Sequence, residues 1–139
     1  MSARSQGFDG QGFDSPQFDK AIHLVMAVTD AGTAVSVDID GGNELFECPT
    51  AVGLDPDGRV RLDDSDQGVR GFVYAVGDPR GLGLADGRVV RAEDLVAGFV
   101  HALTSMLSDL YSLPADARCT LLHPAGLSAH SVAALRDAL

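Results

Sequence analysis

The amino-acid sequence predicts a mixed α/β domain in which an antiparallel meander of three strands is followed by a helix, a strand and a second helix. Three observations support this: apolar, β-branched runs between glycine-containing turns, one long segment with helical periodicity, and a short apolar run before a final helical segment. A strand that follows a helix commonly pairs in parallel with an earlier strand. We therefore expect a mixed sheet in a three-layer α/β lobe, with the last strand parallel to the first.

The meander is predicted from three neighbouring segments. Residues 22–29 are almost continuously apolar, which is typical of a central strand buried on both faces. Residues 34–39 alternate between apolar and polar positions, and 44–47 form a further short strand. The glycine-rich turn at 40–43 joins these two segments, so we expect a hairpin there.

A second hairpin is predicted at 50–54 and 59–62, around the sequence Asp55-Pro56-Asp57-Gly58. Proline at the second position and glycine at the fourth favour a type I turn. Residues 63–71 are acidic and contain glycine, which indicates a loop. The apolar segment 72–76 is compatible with a strand or with a buried helical turn, and both interpretations stay open.

The clearest helix follows a glycine-rich loop at 81–87 and a short extended piece at 89–90. Glu93 and Asp94 stand in its first turn, where negative charge suits the helix dipole. One apolar face recurs with helical spacing and comprises Leu95, Val96, Phe99, Val100, Leu103, Met106, Leu107 and Leu110. This face predicts packing against a sheet.

The end of the chain predicts one more strand and one more helix. Pro114 terminates the long helical segment, and residues 118–123 read as a second buried strand that stops at Pro124. Ser128 is a favourable N-cap for a helix that runs to Leu139.

The first twenty residues differ in composition from the rest. They contain a near-repeat of five residues that places Phe8, Phe13 and Phe18 each directly before an aspartate. A segment so rich in Gly, Gln, Ser and Asp buries too little apolar surface to offset its ordering entropy. We expect residues 1–20 to be a disordered tail and residues 21–139 to form a single lobe. The tail is either a simple solvated segment or a docking tail in which the three phenylalanines bind a partner.

Composition excludes several classes of function. The 139 residues, 45% of them hydrophobic, suffice for one domain, and the net charge of −10 disfavours nucleic acid as a partner. No apolar run is long enough to span a membrane, and the N-terminus lacks the pattern of a secretory signal, so we expect a cytoplasmic protein. Cys48 and Cys119 form no CxxC pair, and we expect each to be a buried, reduced thiol.

No catalytic residue and no metal ligand set is predicted. The chain contains no GxxxxGK[ST] motif, which excludes a P-loop, and it contains no GxSxG sequence. Its four histidines form no pair spaced by four residues on a helix. Nucleophilic catalysis and a metal centre are therefore not expected.

One candidate site follows the first strand, in the sequence Asp30-Ala31-Gly32-Thr33 with Ser36 three residues further on. Glycine allows backbone N–H groups to approach a phosphate, hydroxyls add donors, and a carboxylate can hold hydrated Mg²⁺. The pattern resembles the first phosphate loop of the actin-like ATPases, in particular the DnaK-type heat-shock chaperones. The alternative interpretation is an ordinary hairpin turn in which Asp30 accepts hydrogen bonds from neighbouring backbone N–H groups.

The resemblance continues along the chain. The segment 49–58 looks like the family's third-strand region, and 92–96 is similar to the opening of the long helix in actinobacterial relatives. The segment 121–126 and the helix after it resemble the family's strand that ends in a proline and its following helix. In order, these similarities cover residues 22–139 and imply one ribonuclease H-like (actin-like) lobe.

The resemblance also implies roles for the candidate residues. Asp30 would lie near a metal-bound water, and Gly32 and Thr33 near the β- and γ-phosphates of ATP, so ATP with Mg²⁺ is a possible cofactor. Ala34 and Val35 depart from the family pattern and remove polar groups. The family's second phosphate loop and second lobe have no counterpart here, and phosphoryl transfer needs both lobes to position the phosphate.

We therefore expect a non-catalytic binding or regulatory module with a protein partner. Two alternatives remain: an N-terminal fragment of a chaperone-like ATPase that binds Mg-ATP when complete, and a homodimer formed through an edge strand.

Overall fold

The fold combines a four-stranded mixed sheet with two small hairpins and two helices. The computed structural model describes residues 22–39 and 42–139. In chain order the elements are β1 (His23–Thr29), β2 (Gly32–Ile39), β3 (Gly42–Cys48), β4 (Val52–Leu54), β5 (Val60–Leu62), β6 (Leu82–Gly83), β7 (Val89–Val90), α1 (Ala92–Tyr111), β8 (Arg118–Leu122) and α2 (Ala129–Ala138).

The main sheet has the strand order β3-β2-β1-β8. β1, β2 and β3 pair as an antiparallel meander, whereas β8 lies parallel to β1, with Leu24 beside Cys119. The predicted meander, the helix-strand-helix that follows it and the parallel pairing of the last strand with the first are therefore confirmed.

Burial alternates along β1 because one face of the sheet is packed and the other is not. Leu24, Met26 and Val28 are buried in the core, while the residues between them are half-buried. The prediction of a first strand buried on both faces is therefore wrong. Helix α2 contacts α1, and its Leu135 belongs to the same core, so both helices cover the same side of the sheet. The described residues thus form two layers, not the three that we expected.

The opposite side of the sheet is covered by no helix or strand of the described part of the chain. We call it the outer sheet face. It carries the half-buried side chains of β1 and the side chains that lie in register with them on β2, β3 and β8. These residues are His23, Val25, Ala27, Thr29, Ala34, Ser36, Asp38, Asn43, Leu45, Glu47, Arg118, Thr120 and Leu122.

Strand β8 is an edge strand, and this placement corrects two predictions. Within the described residues β8 pairs with β1 alone, and four of its five residues are exposed. The expectations of a buried strand and of a buried thiol at Cys119 are therefore wrong. Among the described residues, no strand pairs with the side of β8 that faces away from β1. Cys48 is half-buried, and burial raises the pKa of its thiol above the ordinary value.

The local turn and cap predictions are confirmed, with two refinements. Gly58 donates its N–H to the Asp55 carbonyl at 2.9 Å and adopts a φ of 90°, which closes the predicted turn. The undecided segment 72–76 is neither strand nor regular helix, but a pair of overlapping tight turns. The segment 81–87 is not wholly a loop, because Leu82–Gly83 pairs with β7.

Both predicted helices form. The apolar face of α1 is buried through Leu95, Val96, Phe99, Leu103 and Leu107, whereas Leu110, which the spacing placed on the same face, lies in the last turn of the helix and is 60% exposed. The Ser128 side chain accepts the N–H of Ser131 at 3.1 Å, so Ser128 is the N-cap of α2. Neither of these helices is long and apolar enough to cross a membrane.

Candidate functional site

The candidate phosphate loop is a tight turn between β1 and β2. Thr29 pairs with Gly32, so the turn consists of Asp30 and Ala31 alone. The Thr29 hydroxyl donates to the Gly32 carbonyl at 3.0 Å and closes the turn. A Cβ built on Gly32 would meet no atom nearer than the Cys48 carbonyl oxygen at 3.8 Å, so packing does not demand glycine here.

Asp30 forms hydrogen bonds to a distant part of the chain. Its carboxylate accepts the backbone N–H of Val73 at 2.8 Å and that of Tyr74 at 3.3 Å. Val73 is 1% exposed, so its N–H has little access to water. Asp30 therefore holds the turn at 72–76 against the end of the sheet. The alternative interpretation foresaw backbone N–H partners for Asp30, but it placed them nearby in the chain.

Thr33 and Ser36 are directed to opposite faces of the sheet. Thr33 is buried, and its hydroxyl lies 2.6 Å from that of Thr50. The hydroxyl of Ser36 accepts the side-chain amide of Asn43 at 2.8 Å on the outer sheet face. At about 3.3 Å per residue, Ser36 lies roughly 13 Å along β2 from Gly32. The structure thus brings Asp30, Gly32 and Thr33 together at one turn and leaves Ser36 apart.

A shallow depression lies beside this turn, with a volume of about 640 Å³. Its lining is mainly small and apolar and comprises Ala27, Thr29, Ala31, Gly32, Thr33, Ala34, Glu47, Cys48 and Pro49. Glu47 is the single charged side chain of this lining. Because a carboxylate repels phosphate, the depression suits an apolar group better than a triphosphate.

Sequence reasoning missed a second carboxylate that holds the same region. Glu93 is 5% exposed, and its carboxylate accepts the Gly77 N–H at 3.3 Å. The Nε and Nη2 atoms of Arg91 both donate to its Oε2 atom, at 3.1 and 2.8 Å. Burial tends to raise the pKa of Glu93, but its hydrogen bonds and the Arg91 charge outweigh burial and hold the pKa below the usual value. The ring nitrogen Nε2 of His130 lies 3.1 Å from the Gly77 carbonyl oxygen. The acidic first turn of α1 was the sequence signal for Glu93.

Within residues 22–39 and 42–139, no group of three or more His, Cys, Asp and Glu side chains is placed to hold a metal ion. Phe8, Phe13 and Phe18, the predicted partner-binding residues, lie outside the described residues.

Comparison with known proteins adds no family assignment. No protein-family model matches the chain, and a search of curated proteins finds no match either.

Proposed function

We propose that the chain is a non-catalytic binding or regulatory module built on one ribonuclease H-like lobe of the actin-like, DnaK-type kind. The strand order β3-β2-β1-β8 supports this proposal, because an antiparallel meander followed by a helix and a strand parallel to β1 resembles such a lobe. The position of the Asp30 turn directly after the central strand β1 supports it as well.

The observation that carries the non-catalytic assignment is the engagement of the Asp30 carboxylate by two backbone N–H groups. A carboxylate that orders Mg²⁺-bound water needs its lone pairs directed to that water. Here each of the two carboxylate oxygens already accepts one backbone N–H, from Val73 and from Tyr74, so half of the acceptor sites of Asp30 are occupied within the protein. The hydroxyl of Thr33 is likewise hydrogen-bonded to that of Thr50 inside the core. Both polar groups of the loop thus stabilise the lobe itself.

The proposed partner is another protein, engaged by Phe8, Phe13 and Phe18 or by the exposed edge of the sheet. Two of the exposed large apolar side chains, Leu45 and Leu122, lie on the outer sheet face. Exposed apolar surface of this kind is typical of interaction sites. A second copy, paired edge to edge through β8, is the other protein partner that an open edge strand admits.

The second candidate function is a fragment of a chaperone-like ATPase that binds Mg-ATP when complete. The sequence Asp30-Ala31-Gly32-Thr33 at the end of a central strand favours it. Binding of ATP by this chain would bring Mg²⁺ to a carboxylate that already accepts two backbone N–H groups, and the depression beside the turn would present the carboxylate of Glu47 to the phosphates.

A thermal-shift titration with Mg-ATP and Mg-ADP tests whether this chain itself binds nucleotide. A ligand at one hundred times its dissociation constant adds about 2.7 kcal/mol to the free energy of unfolding. For a domain of this size that stabilisation raises Tm by about 10 °C. We expect no rise at millimolar nucleotide beyond that given by Mg²⁺ with inorganic phosphate. A saturable rise specific to nucleotide would contradict the non-catalytic assignment and favour the ATPase fragment.

A further inference from the structure

We propose that the N-terminal segment of residues 1–20 docks in cis on the outer sheet face, with its phenylalanine rings packed along the β1–β8 side, so that the docked state competes with the protein partner proposed above. The starting observation is that this face presents apolar side chains at the centre of the sheet. Val25 and Ala27 lie on β1, the central strand, and Leu122 beside Ala27 is 50% exposed. A sheet face exposed to water normally carries polar residues at such positions.

The chain is covalently connected to a suitable occupant at one end of this face. Ile22 directly precedes β1, and its carbonyl accepts the N–H of Arg118 at 2.9 Å. The segment of residues 1–20 therefore joins the described lobe at the end of the sheet where β1 and β8 begin. It carries three of the six phenylalanines of the protein.

The segment of residues 1–20 is long enough for its phenylalanine rings to reach the apolar side chains of the outer sheet face. Phe18 lies four residues before Ile22, which allows about 14 Å of extended chain, and Phe8 lies fourteen residues before it, which allows about 50 Å. With strands about 4.8 Å apart and a rise of about 3.3 Å per residue, the face measures roughly 14 by 23 Å. All three rings can thus reach Val25, and Phe8 and Phe13 can reach Leu122. The covalent connection gives each ring an effective concentration in the millimolar range.

The charged side chains on the outer sheet face favour docking on its β1–β8 side. Every phenylalanine of the segment is followed by an aspartate. On the outer sheet face, β2 contributes Asp38 and β3 contributes Glu47, whereas β8 contributes Arg118. Opposite charges attract and like charges repel, so the Phe-Asp units are steered towards Arg118 and away from β3. Because the three units are near-equivalent, they compete for one apolar surface.

Methyl and aromatic NMR spectroscopy of the full chain tests this docking. We expect cross-peaks between phenylalanine rings and the methyl groups of Val25, Ala27 and Leu122. Replacement of all three phenylalanines (F8S, F13S and F18S) should remove the cross-peaks and shift these methyl signals. A matched variant with Q6S, Q11S and Q17S keeps the rings and should leave the methyl signals unchanged. Methyl signals that are identical in the wild-type chain and the triple phenylalanine variant would overturn the proposal.

A pair of exposed leucines provides the matched test on the lobe. Leu122→Ser removes apolar surface from the proposed site, and burial of the half of Leu122 that is exposed corresponds to about a fivefold change in the docked-to-free ratio. Leu110→Ser is the control, because Leu110 is 60% exposed on α1, away from the sheet. Equal effects of the two substitutions would contradict docking at this face.

A mixture of isotope-labelled and unlabelled chains tests whether the docked rings belong to the same chain as the sheet or to a second copy. Docking in cis predicts ring-methyl cross-peaks within one chain and a docked fraction that does not change on dilution. Cross-peaks between different chains, lost on dilution, would show docking by a second copy and would overturn the proposal. Nucleotide titration of Tm and ring-methyl contacts are separate measurements, so this docking and the proposed function can fail independently.

Discussion

Replacement of Asp30 by alanine should destabilise the lobe more than any other change in the candidate loop. The substitution removes both acceptors of the Val73 and Tyr74 N–H groups, which lie at 2.8 and 3.3 Å from the carboxylate. Hydrogen bonds to a charged group contribute about 1.5–3 kcal/mol each, and the longer bond is counted at less than the lower limit. The expected loss in free energy of unfolding is therefore about 3 kcal/mol.

This loss translates into a measurable change in Tm. The unfolding entropy of a lobe of this size is about 0.25 kcal/mol/K, so Tm should fall by about 12 °C. Asp30→Asn keeps one acceptor oxygen for one of the two amides but is neutral and turns an N–H donor towards the other, so it should lose less than Asp30→Ala without restoring the wild-type Tm. Differential scanning calorimetry of both variants gives the comparison, and hydrogen exchange at the Val73 amide should accelerate in Asp30→Ala.

Asp38→Ala is the control for removal of a carboxylate from the same hairpin. Asp38 is exposed on the outer sheet face, and its removal should change the free energy of unfolding by about 0.5 kcal/mol or less. If Asp30→Ala lowers Tm by less than about 2 °C, as the control does, the carboxylate contributes little to stability. That result would refute the assigned structural role and would leave the carboxylate free for a ligand.

Two further substitutions test the packing of α1 and the loop it holds. The pKa of Glu93 is lowered in the folded state, so its contribution to stability is complete above about pH 4.3 and is lost as the pH falls through the folded-state pKa. Glu93→Gln should flatten the decline of Tm at acid pH; parallel acid limbs in the wild-type protein and in Glu93→Gln would contradict this role. Gly98→Ala places a Cβ 2.6 Å from the Val60 Cβ, and the overpacking cost of about 1–3 kcal/mol exceeds the gain of about 1 kcal/mol in helix propensity. Chemical denaturation should show a net loss for Gly98→Ala and none for Gly83→Ala, which meets no neighbouring atom within 4 Å; a stabilised Gly98→Ala would refute the close contact.

Much of the secondary structure was predictable because its causes are local. The turn at 55–58 follows from the preferences of proline and glycine, and the N-cap at Ser128 from the geometry of a serine hydroxyl. The buried face of α1 follows from a spacing that one helix imposes on its own residues.

The candidate site was predictable in position but not in its bonding. Its residues lie at the end of β1, as the apolar run before Asp30 indicated. The partners of Asp30 are separated from it by 43 and 44 residues, and no local pattern reports such a distance. The burial of Glu93 and its contact with Gly77 depend in the same way on how α1 meets the loop at 72–81.

The sequence alone determined the order of the elements, their approximate limits and the position of the turn after β1, because these depend on side-chain periodicity and on short-range backbone preferences. The tertiary structure decided that both helices lie on one side of the sheet, that β8 is an edge strand and that the Asp30 carboxylate binds backbone amides of a distant turn. An apolar run specifies that a strand is able to be buried, but whether each of its faces is covered depends on where the rest of the chain packs.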